Sequence, residues 1–105
     1  MTPDADRRRM VTMSELRRRR ADVYAIARRY GVSNIRVFGS VARAEADNAS
    51  DVDLLVDLAP GRGLFDLGGF ISDTEATLNV HVDVTTVAGL RPRLRPRVLA
   101  EAVAL

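Results

Sequence analysis

The chain has 105 residues, no cysteine and a net charge of only +2, and 47% of its residues are hydrophobic. This length allows one domain with one core. The missing cysteines exclude a disulfide framework, a thiolate metal site and a cysteine nucleophile. The sequence has neither the roughly 18 apolar residues of a membrane span nor the apolar stretch of a secretory signal. We therefore expect a cytoplasmic protein that does not bind membranes.

The charges are distributed unevenly along the chain. All 16 basic residues are arginines, and seven of them lie within the first 20 positions. The middle of the chain, residues 45–83, holds nine carboxylates and one arginine. The N-terminal arginines could form a solvated helix face, or they could contact RNA phosphates or an acidic partner. We favour the solvated face, because arginines on an amphipathic helix usually face solvent. The sequence also shows none of the usual DNA-binding signatures, such as zinc ligands or a basic region joined to heptads.

The first predicted elements are an arm and a helix. Residues 1–12 form an arginine-rich arm that we expect to be flexible, and residues 13–105 form one domain. Ser14 is a candidate cap for a first helix, whose apolar side chains recur every three or four residues as far as Tyr30. Gly31 can end this helix in a left-handed conformation.

Two strands are predicted in the middle of the chain. Residues 34–38 alternate between apolar and polar side chains, and Gly39-Ser40 ends this strand at the start of a short helix. A polar loop at residues 45–50 precedes the segment DVDLLVDL at 51–58, which alternates again. One face of this second strand is apolar and faces the core, while the reverse face carries acidic side chains.

The rest of the chain predicts a helix, a third strand and a final helix. Apolar spacing indicates a helix that starts near Leu64 and that Asn79 can end. Valines alternate with polar residues at 80–84, and apolar residues at helical spacing continue from Leu94 to Leu105. The alternation of helices and strands predicts an α/β (α+β) fold, in which helices flank a small mixed sheet of about three strands.

Three carboxylates on two of the predicted strands could form a metal site. Asp51 and Asp53 are two residues apart on one strand, so they share a face with Cβ atoms about 6–7 Å apart. Asp83 lies between two valines on the third strand and points away from the core in the same way. If the two strands are neighbours, the three carboxylates converge. Such a group could hold two Mg²⁺ ions for a phosphoryl displacement.

A candidate phosphate site precedes these acids. Gly39 lets the backbone approach a phosphate closely, and N–H groups at a helix start bind anions. Ser40 adds a hydroxyl donor, and the guanidinium of Arg43, one turn later, can reach a triphosphate. A phosphate site beside metal-binding carboxylates suggests nucleotidyl transfer.

The segment RVFGSVARAEADNASDVDLLVDL resembles the signature of the nucleotidyltransferase superfamily that includes DNA polymerase beta. From about Ile35 onward, the chain is similar to the minimal nucleotidyltransferases that act as antitoxins to HEPN-domain toxins. FGSVAR and SDVDLLVD match this family strongly, and GLFDLGGF, HVDVTT and the arginine-rich final helix match in type and order. The chain departs from the family at Ala44, where members typically have glycine.

The resemblance implies a role for each site residue. Gly39 and Ser40 would hold the phosphates of the nucleotide. Asp51 and Asp53 would coordinate magnesium, and Asp83 would complete the metal site or act as the base for an attacking hydroxyl.

The resemblance also implies a reaction and a partner. The family transfers AMP from ATP, in characterised systems to a tyrosine of the partner toxin, and this blocks the ribonuclease activity of the toxin. We therefore expect a Mg²⁺-dependent antitoxin that forms a hetero-oligomer with a HEPN toxin. The alternative is an antitoxin with weak or no catalysis that neutralises its toxin by binding alone.

Overall fold

The computed structural model describes residues 11–47 and 51–105. Most of the predicted arm and the end of the predicted loop at 45–50 lie outside the described residues. No helix in the described ranges is long and apolar enough to cross a bilayer. The elements are α1 (Met13–Arg18), α2 (Arg20–Arg29), β1 (Val32–Phe38), α3 (Gly39–Ala42), β2 (Val52–Leu58), α4 (Leu64–Leu78), β3 (Val82–Thr85), α5 (Arg95–Glu101) and β4 (Val103–Ala104).

These strands form one mixed sheet in the order β3-β2-β1-β4. Strand β1 is antiparallel to both β2 and β4, whereas β2 and β3 are parallel. A parallel pair needs a crossover connection, which α4 provides. The prediction of a small mixed sheet flanked by helices is confirmed, and β4 is the strand that the sequence did not reveal.

The core lies between one face of the sheet and the helices α2 and α4. The alternating residues Val52, Leu54 and Val56 of β2 are buried there, as the period-two pattern predicts. Helix α2 contributes Val23, and α4 contributes Phe70, and both are fully buried. Burying one face of β2 fixes the register of the acidic residues on its other face.

The predicted helix ends are partly correct. Asn79 ends α4 in the left-handed conformation at φ 57°, and Gly31 follows α2 at φ 71°. The cap of the first helix is Thr12, whose hydroxyl accepts a hydrogen bond from the N–H of Glu15 at 3.1 Å. The prediction of Ser14 as the cap is wrong, because the helix begins one residue before it.

The end of the chain also differs from the prediction of a helix reaching Leu105. Helix α5 ends at Glu101, and the next residues form β4, in which Val103 pairs with Val37 of β1. The N–H of Leu105 donates to the carbonyl oxygen of Ile35 at 3.0 Å. Strand β4 satisfies backbone groups at the edge of β1 that a continued helix would leave unpaired.

Candidate active site

Two of the predicted acidic residues, Asp53 and Asp83, lie side by side at the end of the sheet where β1 ends and β2 and β3 begin. Asp53 of β2 pairs with Phe38 of β1 on one side and with Asp83 of β3 on the other. Neighbouring strands are about 4.8 Å apart, and paired residues point to the same face, so the two carboxylates begin side by side. Asp51 lies directly before β2, two residues from Asp53, and its charge acts on the pKa of Asp53.

The charges in this group interact. Burial, together with the charges of Asp83 and Asp51, raises the pKa of the half-buried Asp53 from its usual 3.8 to about 6. Both neighbours are exposed. Three carboxylates without compensating charge repel one another, and a divalent cation between them would remove that repulsion.

The donor set fits magnesium better than it fits a metal that needs a complete protein cage. In the described ranges, no group of three or more acidic, histidine or cysteine side chains is arranged to hold a metal ion. Mg²⁺ commonly takes only one or two carboxylates and completes its shell with water and substrate phosphates. Asp53 with either neighbour would supply one or two carboxylates of this kind.

The turn after β1 lies against the carboxylate of Asp53. Gly39 adopts φ 75°, and a Cβ atom there would overlap Oδ2 of Asp53 and lie 3.2 Å from its Cγ. Only glycine accommodates both the left-handed backbone and this close approach. The structure therefore brings the predicted phosphate turn, with the half-buried Ser40 next in the chain, to the predicted metal carboxylates.

Arg43 is already held by two carboxylates. Its Nε donates to Glu45 at 2.9 Å, and its Nη1 lies 3.2 Å from an oxygen of Glu101. Hydrogen bonds to Glu45 and Glu101 raise the pKa of the Arg43 guanidinium. Its charge reaches the site, because it lowers the pKa of Asp53. Direct contact between Arg43 and a triphosphate stays a prediction.

Glu101 is a residue of this site that the sequence analysis missed. One of its oxygens accepts a hydrogen bond from the N–H of Gly39 at 2.8 Å, and its side chain is 19% exposed. This hydrogen bond is the main reason that the pKa of Glu101 is lowered, so the carboxylate is ionised at neutral pH. One signal was present: Glu101 is the only acidic residue between positions 91 and 105.

Ala44 follows α3 in a conformation that usually requires glycine. Its φ is 60°, its N–H donates to the carbonyl of Val41 at 3.1 Å, and the N–H of Glu45 donates to the carbonyl of Ser40 at 2.8 Å. This pair of hydrogen bonds is the Schellman motif, in which the left-handed residue is most often glycine. The departure from the family thus falls where the backbone conformation disfavours a side chain.

Comparisons with known proteins identify the family of this chain. Residues 23–105 match the family model described as Nucleotidyltransferase domain. A protein of Methanocaldococcus jannaschii, named as a candidate protein adenylyltransferase, is 36% identical over 93 residues, which cover 89% of this chain and 97% of the relative. Protein adenylyltransferase MntA of Thermococcus cleftensis is 39% identical over 75 residues, which cover 71% of this chain and 76% of the relative.

A comparison with solved structures points to the same family. A solved structure of a candidate minimal nucleotidyltransferase aligns with a TM-score of 0.80 at 45% sequence identity, covering 90% of this chain and 97% of the other. The family model spans most of the chain, including every candidate site residue. The chain therefore belongs to the nucleotidyltransferase domain family and has the fold of a minimal nucleotidyltransferase.

Proposed function

We propose that this nucleotidyltransferase transfers AMP from ATP to a hydroxyl group of a partner protein. The observation that carries the proposal is the pairing of Asp53 with Asp83 beside the turn at Gly39. Two relatives are named as protein adenylyltransferases, which supports a protein as the acceptor. The exposure of Asp51 and Asp83 supports it as well, because a large acceptor can reach an open site.

The reaction requires one bond to form and one to break. The acceptor hydroxyl oxygen attacks the α-phosphorus of ATP, the bond from that phosphorus to the bridging oxygen breaks, and pyrophosphate leaves. Gly39 and Ser40 would position the phosphates. Asp83 would take the hydroxyl proton or complete the metal site. Mg²⁺ held by Asp51 and Asp53 would neutralise charge on the triphosphate.

We further propose that the acceptor is a tyrosine of a cognate HEPN ribonuclease toxin, and that this protein is the antitoxin. The motifs FGSVAR and SDVDLLVD, which resemble those of such antitoxins, support this assignment. Transfer to the toxin requires the two proteins to form a complex, at least transiently. A nucleic-acid role for the N-terminal arginines remains less favoured.

A labelling experiment tests the transfer. Purified protein is incubated with α-³²P-labelled ATP, Mg²⁺ and the HEPN protein encoded by the neighbouring reading frame. We expect label on the HEPN protein and at least ~100-fold less with Asp51→Asn, Asp53→Asn, because the ligands for the metal are lost. The matched control is Asp57→Asn, on the same face of β2 but paired with Arg36 at 2.9 Å. Undiminished labelling by the double variant would contradict the site assignment.

Neutralisation by binding alone is the second candidate function. The left-handed conformation of Ala44 favours it, because strain beside the phosphate turn would slow turnover. Co-expression of the toxin with the Asp51→Asn, Asp53→Asn variant separates the two functions. Full rescue of growth without AMP on the toxin would support binding alone, whereas loss of rescue with the complex still formed would support transfer.

A further inference from the structure

The carboxylate of Glu101 connects the last helix to the phosphate turn. Its Oε2 accepts the N–H of Gly39 at 2.8 Å, and both of its oxygens lie 3.2 Å from Nη1 of Arg43. The side chain is 19% exposed, so water competes little for these contacts. Charge-assisted hydrogen bonds of this kind are about twice as strong as neutral ones.

The residue that Glu101 holds is also the residue that touches the metal carboxylates. Gly39 donates its N–H to Glu101, while its Cα packs so closely against Asp53 that a Cβ atom would not fit. A displacement of Gly39 would therefore change the distance between the phosphate turn and Asp53. The hydrogen bond that Glu101 accepts from Gly39 therefore restrains the distance between the phosphate turn and Asp53.

Glu101 is itself anchored by the sheet. It ends α5 two residues before β4, whose Val103 pairs with Val37 of β1. The N–H of Leu105 adds a further hydrogen bond to the carbonyl of Ile35. Because β1 leads directly into Gly39, the same strand carries the turn and the segment that holds it. Sites supported by such regular elements are more precise than sites supported by loops.

The backbone N–H of Gly39 is thus already hydrogen-bonded within the protein. A phosphate bound at this turn would meet the Ser40 hydroxyl and the remaining backbone N–H groups, and not the N–H that Glu101 occupies. Gly39 therefore contributes to the site through its missing side chain and its fixed position. Its N–H group contributes less, because Glu101 already accepts it.

We propose that Glu101 is a positioning residue for nucleotidyl transfer, which fixes the Gly39–Ser40 turn against Asp53 so that phosphates and metal carboxylates keep a productive distance. The inference rests on the proposed function. It predicts an effect on the rate of the bound complex more than on nucleotide affinity, because misplaced reacting groups slow the chemical step.

The chain provides a matched control at another carboxylate. Asp66, in the first turn of α4, accepts the N–H of Gly63 at 2.9 Å and a hydrogen bond from Arg62 at 3.0 Å. Its contacts have the same chemistry as those of Glu101 but hold a turn that follows β2 rather than the phosphate turn. Variants of Asp66 report the general cost of losing such a bond.

Kinetics of AMP transfer at varied ATP concentration test the inference. We expect Glu101→Ala to lower kcat about 10- to 100-fold with a smaller change in KM for ATP, as the loss of one charge-assisted hydrogen bond implies. Glu101→Gln should be markedly more active than Glu101→Ala, because its amide oxygen still accepts the Gly39 N–H. Asp66→Ala should keep the wild-type kcat.

Three kinetic results would overturn the inference. Equal losses in Glu101→Ala and Asp66→Ala would indicate general destabilisation. A Glu101→Gln variant as slow as Glu101→Ala would show that the hydrogen bond is not what matters. A Glu101→Ala variant with faster transfer and tighter ATP binding would show that the carboxylate competes with phosphate for the turn.

Amide hydrogen exchange separates this inference from the proposed function. Exchange at Gly39, measured by NMR on the ¹⁵N-labelled protein without nucleotide, should accelerate at least ~10-fold in Glu101→Ala and stay unchanged in Asp66→Ala. Unchanged exchange in Glu101→Ala would overturn the positioning role even in an active enzyme. A wild type that transfers no AMP would instead overturn the proposed function, whatever the exchange shows.

Discussion

The carboxylates at the two ends of β2 have different surroundings. Asp57 is paired with Arg36 at 2.9 Å and with Asn34 at 3.0 Å. Asp53, four residues earlier on the same face, is half-buried beside Asp83, and burial together with neighbouring charges raises its pKa to about 6. Asp57 thus stabilises its end of the strand in the folded protein, whereas the ionised Asp53 destabilises the other end. Repulsion between charges on a rigid element that a nearby arginine offsets only in part is typical of a functional site rather than of a structural one.

The largest effect expected from this difference is on transfer by Asp83→Asn. This change removes either a ligand for the metal or the base, and each is worth about 100-fold or more in rate. Asp57→Asn should leave the rate nearly unchanged, because its partners lie at the other end of β2. The measurement is the initial rate of AMP transfer. An active Asp83→Asn protein would confine the site to Asp51 and Asp53.

Next comes the steric contact between the turn and the acidic end of β2. Gly39→Ala forces a side chain into Asp53, and we expect a loss of about 2–3 kcal/mol of unfolding free energy and an impaired transfer rate. Gly61, at φ 84°, has open space around its Cα, so Gly61→Ala measures the backbone strain alone, about 1 kcal/mol. Denaturant unfolding measures both. Equal losses in the two variants would show that the contact with Asp53 is not tight.

The charge difference also predicts how stability depends on pH. Because the pKa of Asp53 is higher in the folded protein, about 6, than its usual 3.8, the folded state binds the proton more tightly between these values. The metal-free protein should therefore lose stability as the pH rises through this range. Asp53→Asn should remove this loss and raise the Tm at pH 7.5 in EDTA.

Thermal unfolding of both proteins between pH 5 and pH 7.5 is the measurement, and Asp57→Asn is its control. Removing Asp57 takes away a compensated charge, so this variant should not gain stability at neutral pH. A lower Tm for Asp53→Asn than for the wild type at pH 7.5 would contradict the assignment of repulsion to this end of the strand.

The smallest expected effect concerns the Schellman motif after α3. Ala44→Gly should stabilise the protein by at most about 1 kcal/mol, because glycine adopts φ 60° without strain but loses more entropy on folding. Asn79→Gly, at a similar φ of 57°, should gain less, since asparagine tolerates this conformation. A faster transfer by Ala44→Gly would link the motif to the phosphate turn. A destabilised Ala44→Gly would contradict the strain.

Much of the fold could be predicted because its helices and strands follow from local sequence patterns. Alternating valines and leucines indicated β2 and β3, and they also indicated that Asp53 and Asp83 lie on the face away from the core. Gly31 and Asn79 marked helix ends, because left-handed conformations are restricted to few residue types. The adjacency of Asp53 and Asp83 was a condition of the sequence argument, and the parallel pairing of β2 with β3 fulfils it.

The remainder depends on contacts between distant parts of the chain. Strand β4 is two residues long, too short for any period to be visible, and it exists because β1 offers an edge. Glu101 belongs to a segment with helical spacing, and its contact with Gly39 joins residues 62 positions apart in the sequence. Hydrophobic periodicity contains no information about such a polar contact. The roles of the site residues stay predictions until they are measured.

The crossover between β2 and β3 has a consequence for when the enzyme becomes competent. Asp53 and Asp83 are separated by the whole of α4, and they become neighbours only when β3 docks in parallel. Parallel pairing across a long connection is slow compared with hairpin formation. A nascent chain in which only β1 and β2 have paired therefore lacks the assembled centre. A nucleotide or metal ion that bound only the assembled centre would selectively stabilise molecules in which β3 has docked.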